Sequence, residues 1–523
     1  MSEQISNNTS ANNKRIAKNT IILYFRMLFL LGVSLYTSRI VLEALGVVDY
    51  GIYNVVGGFV AMFGIISSTL TGACSRFINY EMGTGNMDRL KAVFSTTVTI
   101  QVILALIVAV VCESFGLWYI NNVMVIPGDR LIAANWCFQF SVINFFISLV
   151  SVPYNAAIVA HEKMSAFAYI SIFEGISRLL ICYLIIVLPY DNLIAYGFLL
   201  LVIQIIVRLI YQGYCRIHFE ESRYFFVWNK QLIKEIFSYS SWNLIGNTSG
   251  ILKNQGINIL LNYFFGPVVN AAKGVSNQVN NAINGFVSNF MMALNPQITQ
   301  SYSSGNRSNM MILINYGSRF SFYILILFAL PIIFNADYVL SIWLKEVPDY
   351  AVSFSVLTLI AAIICSLSKT LITAQSATGK MKNYQIVVGG IQIAIVPISL
   401  IVLKLGGTPI SVMGILILDE VISLFARIYM LSKNIEEFSS KAYCKNVIFN
   451  CLSVLLCSSI VPIILLFYKQ CGFMYFVCNV AITILMTVVS VLFVGCTQTE
   501  RLFIYSKLNT KFKKKFFQKV QNN

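Results

Sequence analysis

Apolar residues in this chain run in blocks of about the 20 residues that an α-helix needs to cross bilayer hydrocarbon, separated by short polar connections. Such blocks lie at 16–40, 52–75, 92–119, 131–152, 165–188, 193–215, 236–263, 268–294, 311–334, 351–374, 384–404, 409–431, 446–467 and 473–494. The pattern predicts an all-α integral membrane protein with about fourteen transmembrane helices. The seventh and eighth blocks are the most polar, so hydropathy supports them least.

Lysine and arginine placement tests this reading through the positive-inside bias. Basic residues gather in alternate connections and leave only Arg130, Lys345, Lys404 and Lys469 in the others. The alternation assigns both termini to the cytoplasmic side. The net charge of +16 is then mostly a topological feature, no nucleic-acid partner is expected, and the basic segment from Lys507 to Lys519 meets anionic lipid headgroups.

A repeat organises the blocks into lobes. The stretch from Gly46 to Lys91 returns 220 positions later from Gly266 to Met311, with Gly46 on Gly266 and Gly85-Asn86 on Gly305-Asn306. A second echo sets Ala160, Lys163 and Met164 against Ala377, Lys380 and Met381 at a shift of 217. Parallel repeats of this kind are a transporter architecture with the substrate path between lobes. The expected organisation is a polar cytoplasmic tail at 1–15, an N-lobe at 16–216, a cytoplasmic linker at 217–235 and a C-lobe at 236–431. Two further helices at 446–494 and a basic cytoplasmic tail at 497–523 complete it. The first dozen residues are polar, expected to be disordered, and carry no cleaved signal.

Composition agrees with a membrane solvent: 57% of residues are hydrophobic, 11% are charged, and the mean hydropathy is +0.75. The twelve cysteines contain no CxxC pair and read as buried thiols rather than disulfides or a metal site. The two histidines, His161 and His218, have no second ligand type at metal spacing. No nucleotide-binding loop, nucleophile elbow or zinc motif is present, so no enzyme activity and no cofactor are expected. Energy has to come from an ion gradient, the membrane potential or the substrate's own gradient.

The informative residues are the polar ones inside the blocks. Asn243, Asn247, Asn254, Asn258 and Asn262 fall within an arc of about 100 degrees on the seventh helix. Asn270, Lys273, Asn277, Asn281, Asn284 and Ser288 form a similar stripe on the eighth. Asparagine in lipid is costly, so each stripe faces protein or water, either as interhelical hydrogen bonding or as the wall of a hydrated cavity for a polyhydroxylated ligand. Arg26, Lys253, Lys273 and Arg319 are basic residues within spans with no carboxylate at helical spacing, which suits an anionic ligand. Arg178 has Glu174 four residues before it and Arg39 has Glu43 four residues after it, so pairing competes with ligand binding for both. Asp419 and Glu420, with Arg427 seven residues on, read either as a buried pair or as an H+ or Na+ coupling site.

The run RIVLEALGVVDYGIYN at 39–54 and the run RFINYEMGTGN at 76–86 resemble the polysaccharide repeat-unit flippases of Wzx type in the multidrug/oligosaccharidyl-lipid/polysaccharide exporter superfamily. The resemblance implies a MATE-like fold of two six-helix lobes with two added C-terminal helices, working by alternating access. It implies that an undecaprenyl-diphosphate-linked oligosaccharide is moved across the bacterial plasma membrane for surface polysaccharide such as O-antigen or capsule, beside a polymerase and chain-length proteins. Family members use cationic cavity residues, and on matching helices these are Arg26, Arg39, Lys253 and Lys273, with Asn247, Asn254, Asn258, Asn277, Asn281 and Asn284 as the amide wall. The second repeat has Pro296 where the first has Arg76, which makes Arg76 a residue of one lobe only. Two rivals share the fold: a lipid II flippase, which also needs cations for a diphosphate, and an ion-coupled multidrug exporter, which would want aromatics and carboxylates instead. An integral membrane polymerase or acyltransferase would need a large outer loop or a membrane histidine, and the sequence has neither.

Overall fold

The computed structural model describes residues 2–61, 63–122, 126–187, 189–344, 347–467, 472–498 and 500–502, and every regular element among them is helical. Lys345, Lys469 and the tail from Lys507 to Lys519 lie outside the described residues. The first half of the chain forms α1 (Ser2–Ala61), α2 (Gly64–Thr84), α3 (Met87–Val111), α4 (Leu117–Asn122), α5 (Leu131–Ala160), α6 (Met164–Val187) and α7 (Asn192–His218). The second half begins with α8 (Lys230–Phe265), α9 (Pro267–Ser303), α10 (Arg307–Phe334), α11 (Ala336–Trp343), α12 (Ala351–Ser366) and α13 (Lys369–Thr378). It continues through α14 (Lys382–Lys404), α15 (Pro409–Asn434), α16 (Ser440–Tyr443), α17 (Asn450–Phe467) and α18 (Phe473–Ser490).

Among the described residues ten helices are long and apolar enough to cross a membrane, or eleven if α12 and α13, bent by 41°, form one span. The expected spans at 236–263 and 268–294 also fall on helices, α8 and α9, whose asparagines and lysines keep them from that set. The span expected at 52–75 is interrupted, since α1 ends at Ala61 and α2 starts at Gly64.

The repeat is written into the backbone. Gly46 and Gly266 have φ of 75° and 81°, Gly85 and Gly305 have 73° and 76°, and Glu162 and Gly379 have 56° and 74°. The sequence shifts of 220 and 217 thus pair left-handed positions, a conformation that costs a residue with a Cβ. Glycine supplies it five times, and Glu162 adopts it at the turn after α5.

Two compact units are present. The first comprises the residues up to Leu252 with Ser288–Leu313 and Thr373–Gly390; the second comprises Lys253–Val287, Ile314–Ile372 and the residues from Ile391 onward. These units do not follow the lobe bounds 16–216 and 236–431, because the first unit contains parts of both repeats bonded to each other. In it, the Gln300 side chain on α9 donates to the Ala160 carbonyl at 2.9 Å and to Asn79 at 3.3 Å. Gln297 donates to the Glu162 carboxylate at 3.0 Å, and Arg15 pairs with the same carboxylate at 2.8 Å. Reciprocally, Arg76 on α2 donates to the carbonyls of Ser376 and Ala377 at 3.2 and 3.1 Å, so it works as a structural residue. Each repeat therefore docks on the other's turn. A Cβ on Gly83 would lie 1.8 Å from Ser303 Oγ, so α2 and α9 are in tight contact where Gly83 meets its own repeat counterpart.

The first unit is also tied together through the family-like run. Arg130 reaches Asp49 of DYGIY through Nε at 2.7 Å and Asp191 through Nη1 at 2.5 Å. Burial works against the Asp191 carboxylate, but Arg130 and the α7 amides of Ile194 and Leu193 outweigh it and hold its pKa below the usual aspartate value. In the linker, Glu221 is buried and pairs with His161 at 2.5 Å, so the segment is docked rather than loose.

In the second unit the bend from α12 to α13 leaves the Leu367 carbonyl without a helical donor. The Tyr443 hydroxyl donates to it at 2.8 Å and lies 2.8 Å from the Ser318 hydroxyl, and Arg427 donates to Ser368 at 2.9 Å. A broken helix is tolerated at membrane depth when protein groups re-satisfy its backbone in this way. Arg319 on α10 donates to the Gly495 carbonyl at 3.1 Å and pairs with Glu500 at 2.5 Å. It is therefore a clamp on the segment after α18 rather than a cation awaiting a ligand. Sequence spacing could not show this, because the partners are 176 and 181 positions away.

Candidate functional site

Each unit encloses one cavity that collects residues of the expected site. In the first unit a cavity of about 420 Å³ is lined by Arg26, Ser34, Thr37, Glu174 and Arg178, with Tyr50, Tyr53 and Tyr196. Arg26 comes from α1 on the same face as Thr37, and its guanidinium lies 4.5 Å from the Phe167 ring centroid. Arg26 Nε and Thr37 Oγ1 are buried without a hydrogen-bond partner. Glu174 and Arg178 form the expected i,i+4 pair at 2.7 Å. The side chain of Arg39 lies outside the described side chains. The three tyrosines were not foreseen; Tyr50 and Tyr53, one turn apart, were legible as a helical pair, but Tyr196 joins them only through the packing of α7.

In the second unit a cavity of about 350 Å³ is lined by Lys253, Lys273, Asn254, Asn277, Asn281 and Asn284. Helices α8 and α9 supply these residues at the helical spacing that made the stripes visible. Among the described residues Lys273 makes no ion pair, and the amides of Asn254, Asn277 and Asn281 make no hydrogen bond. Asn284 donates to Asn280 Oδ1 at 2.6 Å, so it is partly engaged along its own helix. Asn280 and Lys369 also line this cavity and were missed: Asn280 sits at the margin of the stripe, and Lys369 follows the α12 to α13 bend.

Three site residues have partners or places that local spacing does not show. Lys253, read as lacking a carboxylate, pairs with Asp419 at 2.8 Å and Glu420 at 3.2 Å. The partners lie 166 and 167 positions along the chain, beyond any local spacing rule. Asn247 donates to Thr69 Oγ1 on α2 at 2.8 Å, so this member of the stripe joins two helices instead of facing an opening. Asn258 is not a lining residue of the cavity, and its amide lies 3.4 Å from Gln255 Oε1. The α8 stripe thus changes role along its length: Asn243, which accepts from Gln385 at 3.1 Å, and Asn247 bond to neighbouring helices, while Asn254 faces the cavity.

No cluster of three or more potential metal ligands is found among the described residues. The second-unit cavity offers amide donors and acceptors side by side with ammonium groups, a combination suited to hydroxyls and to anionic oxygens.

A family model described as polysaccharide biosynthesis protein matches residues 16–302, more than half of the chain. The chain belongs to the polysaccharide biosynthesis protein family. No curated protein sequence matches this family member. Its fold is MATE-like. An outward-facing multidrug resistance MATE transporter of the MOP superfamily superposes with a TM-score of 0.68 at 12% identity, covering 82% of this chain and 97% of that one. A MOP superfamily transporter from Pyrococcus furiosus, for which reverse polarity of the binding pocket suggests a different function, gives 0.65 at 11% identity with 82% and 96% covered. A mutant MATE transporter of Vibrio cholerae gives 0.64 at 15% identity with 81% and 97% covered. The polysaccharide family member is therefore a multi-pass membrane protein with a MATE-like fold.

Proposed function

We propose that the protein is a flippase that moves an undecaprenyl-diphosphate-linked oligosaccharide repeat unit across the bacterial plasma membrane by alternating access, with both termini cytoplasmic. Family membership supports the pathway, and the MATE-like fold supports the class of machine. The observation that carries the substrate reading is the second-unit cavity, where Lys273 makes no ion pair among the described residues and three amides make no hydrogen bond. An unpaired cation at mid-bilayer costs roughly 2.5 to 3.5 kcal/mol even on lenient scales, so its retention supports an anionic ligand, here the diphosphate. The free amides of Asn254, Asn277 and Asn281 suit sugar hydroxyls. The Arg26 cavity of the first unit is a second basic surface for the same substrate. No covalent chemistry is involved.

The test is glycan export in cells that depend on this protein. Lys273→Ala at normal membrane abundance is expected to lower export about tenfold, the equivalent of one lost charged contact. Lys273→Arg keeps part of the activity by preserving charge, and Lys404→Ala, at the exposed end of α14, changes nothing. Wild-type export by Lys273→Ala would remove the lysine from the diphosphate site.

A further inference from the structure

Lys253 lies between two carboxylates, one of which it shares with a second cation. Its ammonium lies 2.8 Å from Asp419 Oδ2 and 3.2 Å from Glu420 Oε1, with side-chain exposures of 10% for the lysine, 0% for the aspartate and 14% for the glutamate. Asp419 and Glu420 are consecutive on α15, so their side chains leave the helix about 100 degrees apart, yet both reach one amine. Lys253 and Glu420 line the cavity beside Lys273, while Asp419 is fully buried. The second oxygens of the pair are poorly used: Asp419 Oδ1 and Glu420 Oε2 are buried without a hydrogen bond. Glu420 Oε2 forms a longer ion pair with Arg427 Nη1, at 3.9 Å.

A cluster that served only to hold α8 against α15 would saturate those oxygens, since a buried acceptor without a donor is costly. Glu420, the carboxylate that faces the cavity, is shared between two cations, Lys253 at 3.2 Å and Arg427 at 3.9 Å.

We infer that Glu420 is an internal counter-ion that competes with the substrate's diphosphate for Lys253. This rests on the flippase reading. In the empty cavity Glu420 and Asp419 share the lysine. When a diphosphate enters, its oxygens take the ammonium, Asp419 keeps its bond from behind the wall, and Glu420 turns the short distance to Arg427. On release Glu420 returns and refills the lysine's coordination. The exchange lowers affinity by the energy needed to displace Glu420, and this favours turnover: a transporter that holds its cargo tightly in every state releases it slowly, and equal affinity for two states moves neither. Asp419 positions Lys253; Glu420 sets how tightly the anion is held.

The experiment uses the full-length protein in lipid nanodiscs, with farnesyl diphosphate as the probe and glycan export in cells as the second readout. Glu420→Gln, nearly isosteric, is expected to bind the probe about tenfold more tightly than wild type, the scale of one removed close charge, while export falls. Asp419→Asn, which leaves Glu420 in place, is expected to gain much less affinity. In wild-type protein, which needs no variant to fold, an infrared difference spectrum on adding the probe is expected to show a shifted carboxylate band that Glu420→Gln lacks. Unchanged or weaker probe binding in Glu420→Gln, or a wild-type spectrum with no carboxylate shift on binding, overturns the counter-ion. So does unchanged affinity combined with loss of H+ or Na+ dependence of export, which would assign Glu420 to ion coupling. If neither wild type nor any variant binds the probe, the diphosphate reading falls first and the counter-ion falls with it.

Discussion

At the scale of single residues, an asparagine in a membrane helix has two uses, and the partner decides which. Asn247 donates to Thr69 on another helix at 2.8 Å, whereas Asn277 lines the second-unit cavity and makes no hydrogen bond among the described residues. The two positions should therefore respond in opposite ways to leucine. Asn247→Leu loses an interhelical bond and is expected to cost about 0.6 to 2 kcal/mol, seen as a lower melting temperature in detergent. Asn277→Leu is expected to leave melting nearly unchanged and to reduce glycan export. Equal destabilisation by both would make the cavity amides packing residues. The stripes themselves were legible from spacing alone. Which of their members bond across helices was not, because Thr69 precedes Asn247 by 178 positions and nothing in a local pattern records that approach.

At the scale of elements, the crossing of α2 with α9 in the first unit depends on a missing side chain. A Cβ on Gly83 would meet Ser303 Oγ at 1.8 Å, the Gln300 carbonyl at 2.5 Å and Gln300 Cα at 2.8 Å, and two of these are backbone atoms that cannot step aside. Gly83→Ala is therefore expected to destabilise the protein by about 1 to 3 kcal/mol, the usual range for overpacking. Gly213 on α7 has nothing within 4 Å of an added Cβ, so Gly213→Ala is expected to be neutral or slightly stabilising through its helix propensity. Thermal melts of the two variants check this, and a neutral Gly83→Ala would mean that the helices can separate there at little cost. The same crossing gives Arg76 its role: its donors go to the turn at Ser376 and Ala377. Pro296, its repeat counterpart, has no such donor, and Gln297 beside it serves the reciprocal turn instead.

For the whole molecule, orientation follows from charge rather than from packing. Leu405, in the connection after α14, is strongly exposed, and Lys441 lies on α16, the short helix in the connection between α15 and α17. With both termini inside, a cysteine at Leu405 is expected to react with an impermeant thiol reagent in intact cells, while one at Lys441 reacts only after the cells are opened. Labelling of Lys441→Cys from outside would invert the topology and displace the assignment of cytoplasmic turns.

The sequence by itself determined the solvent, the helical class, the repeat and the two polar stripes, part of which lines the second-unit cavity, because hydropathy, spacing and a fixed shift are all local or periodic quantities. It also marked the turns at Gly46, Gly85, Gly266 and Gly305, where positive φ favours a residue without a Cβ. Tertiary structure alone decided which charges are available. Lys253 and Arg319 looked alike as isolated cations, yet the fold gives one to Asp419 and Glu420 and the other to Glu500, leaving Lys273 without an ion pair among the described residues. Electrostatic pairing depends on distances of a few ångströms between residues far apart in the chain, and only packing sets those distances.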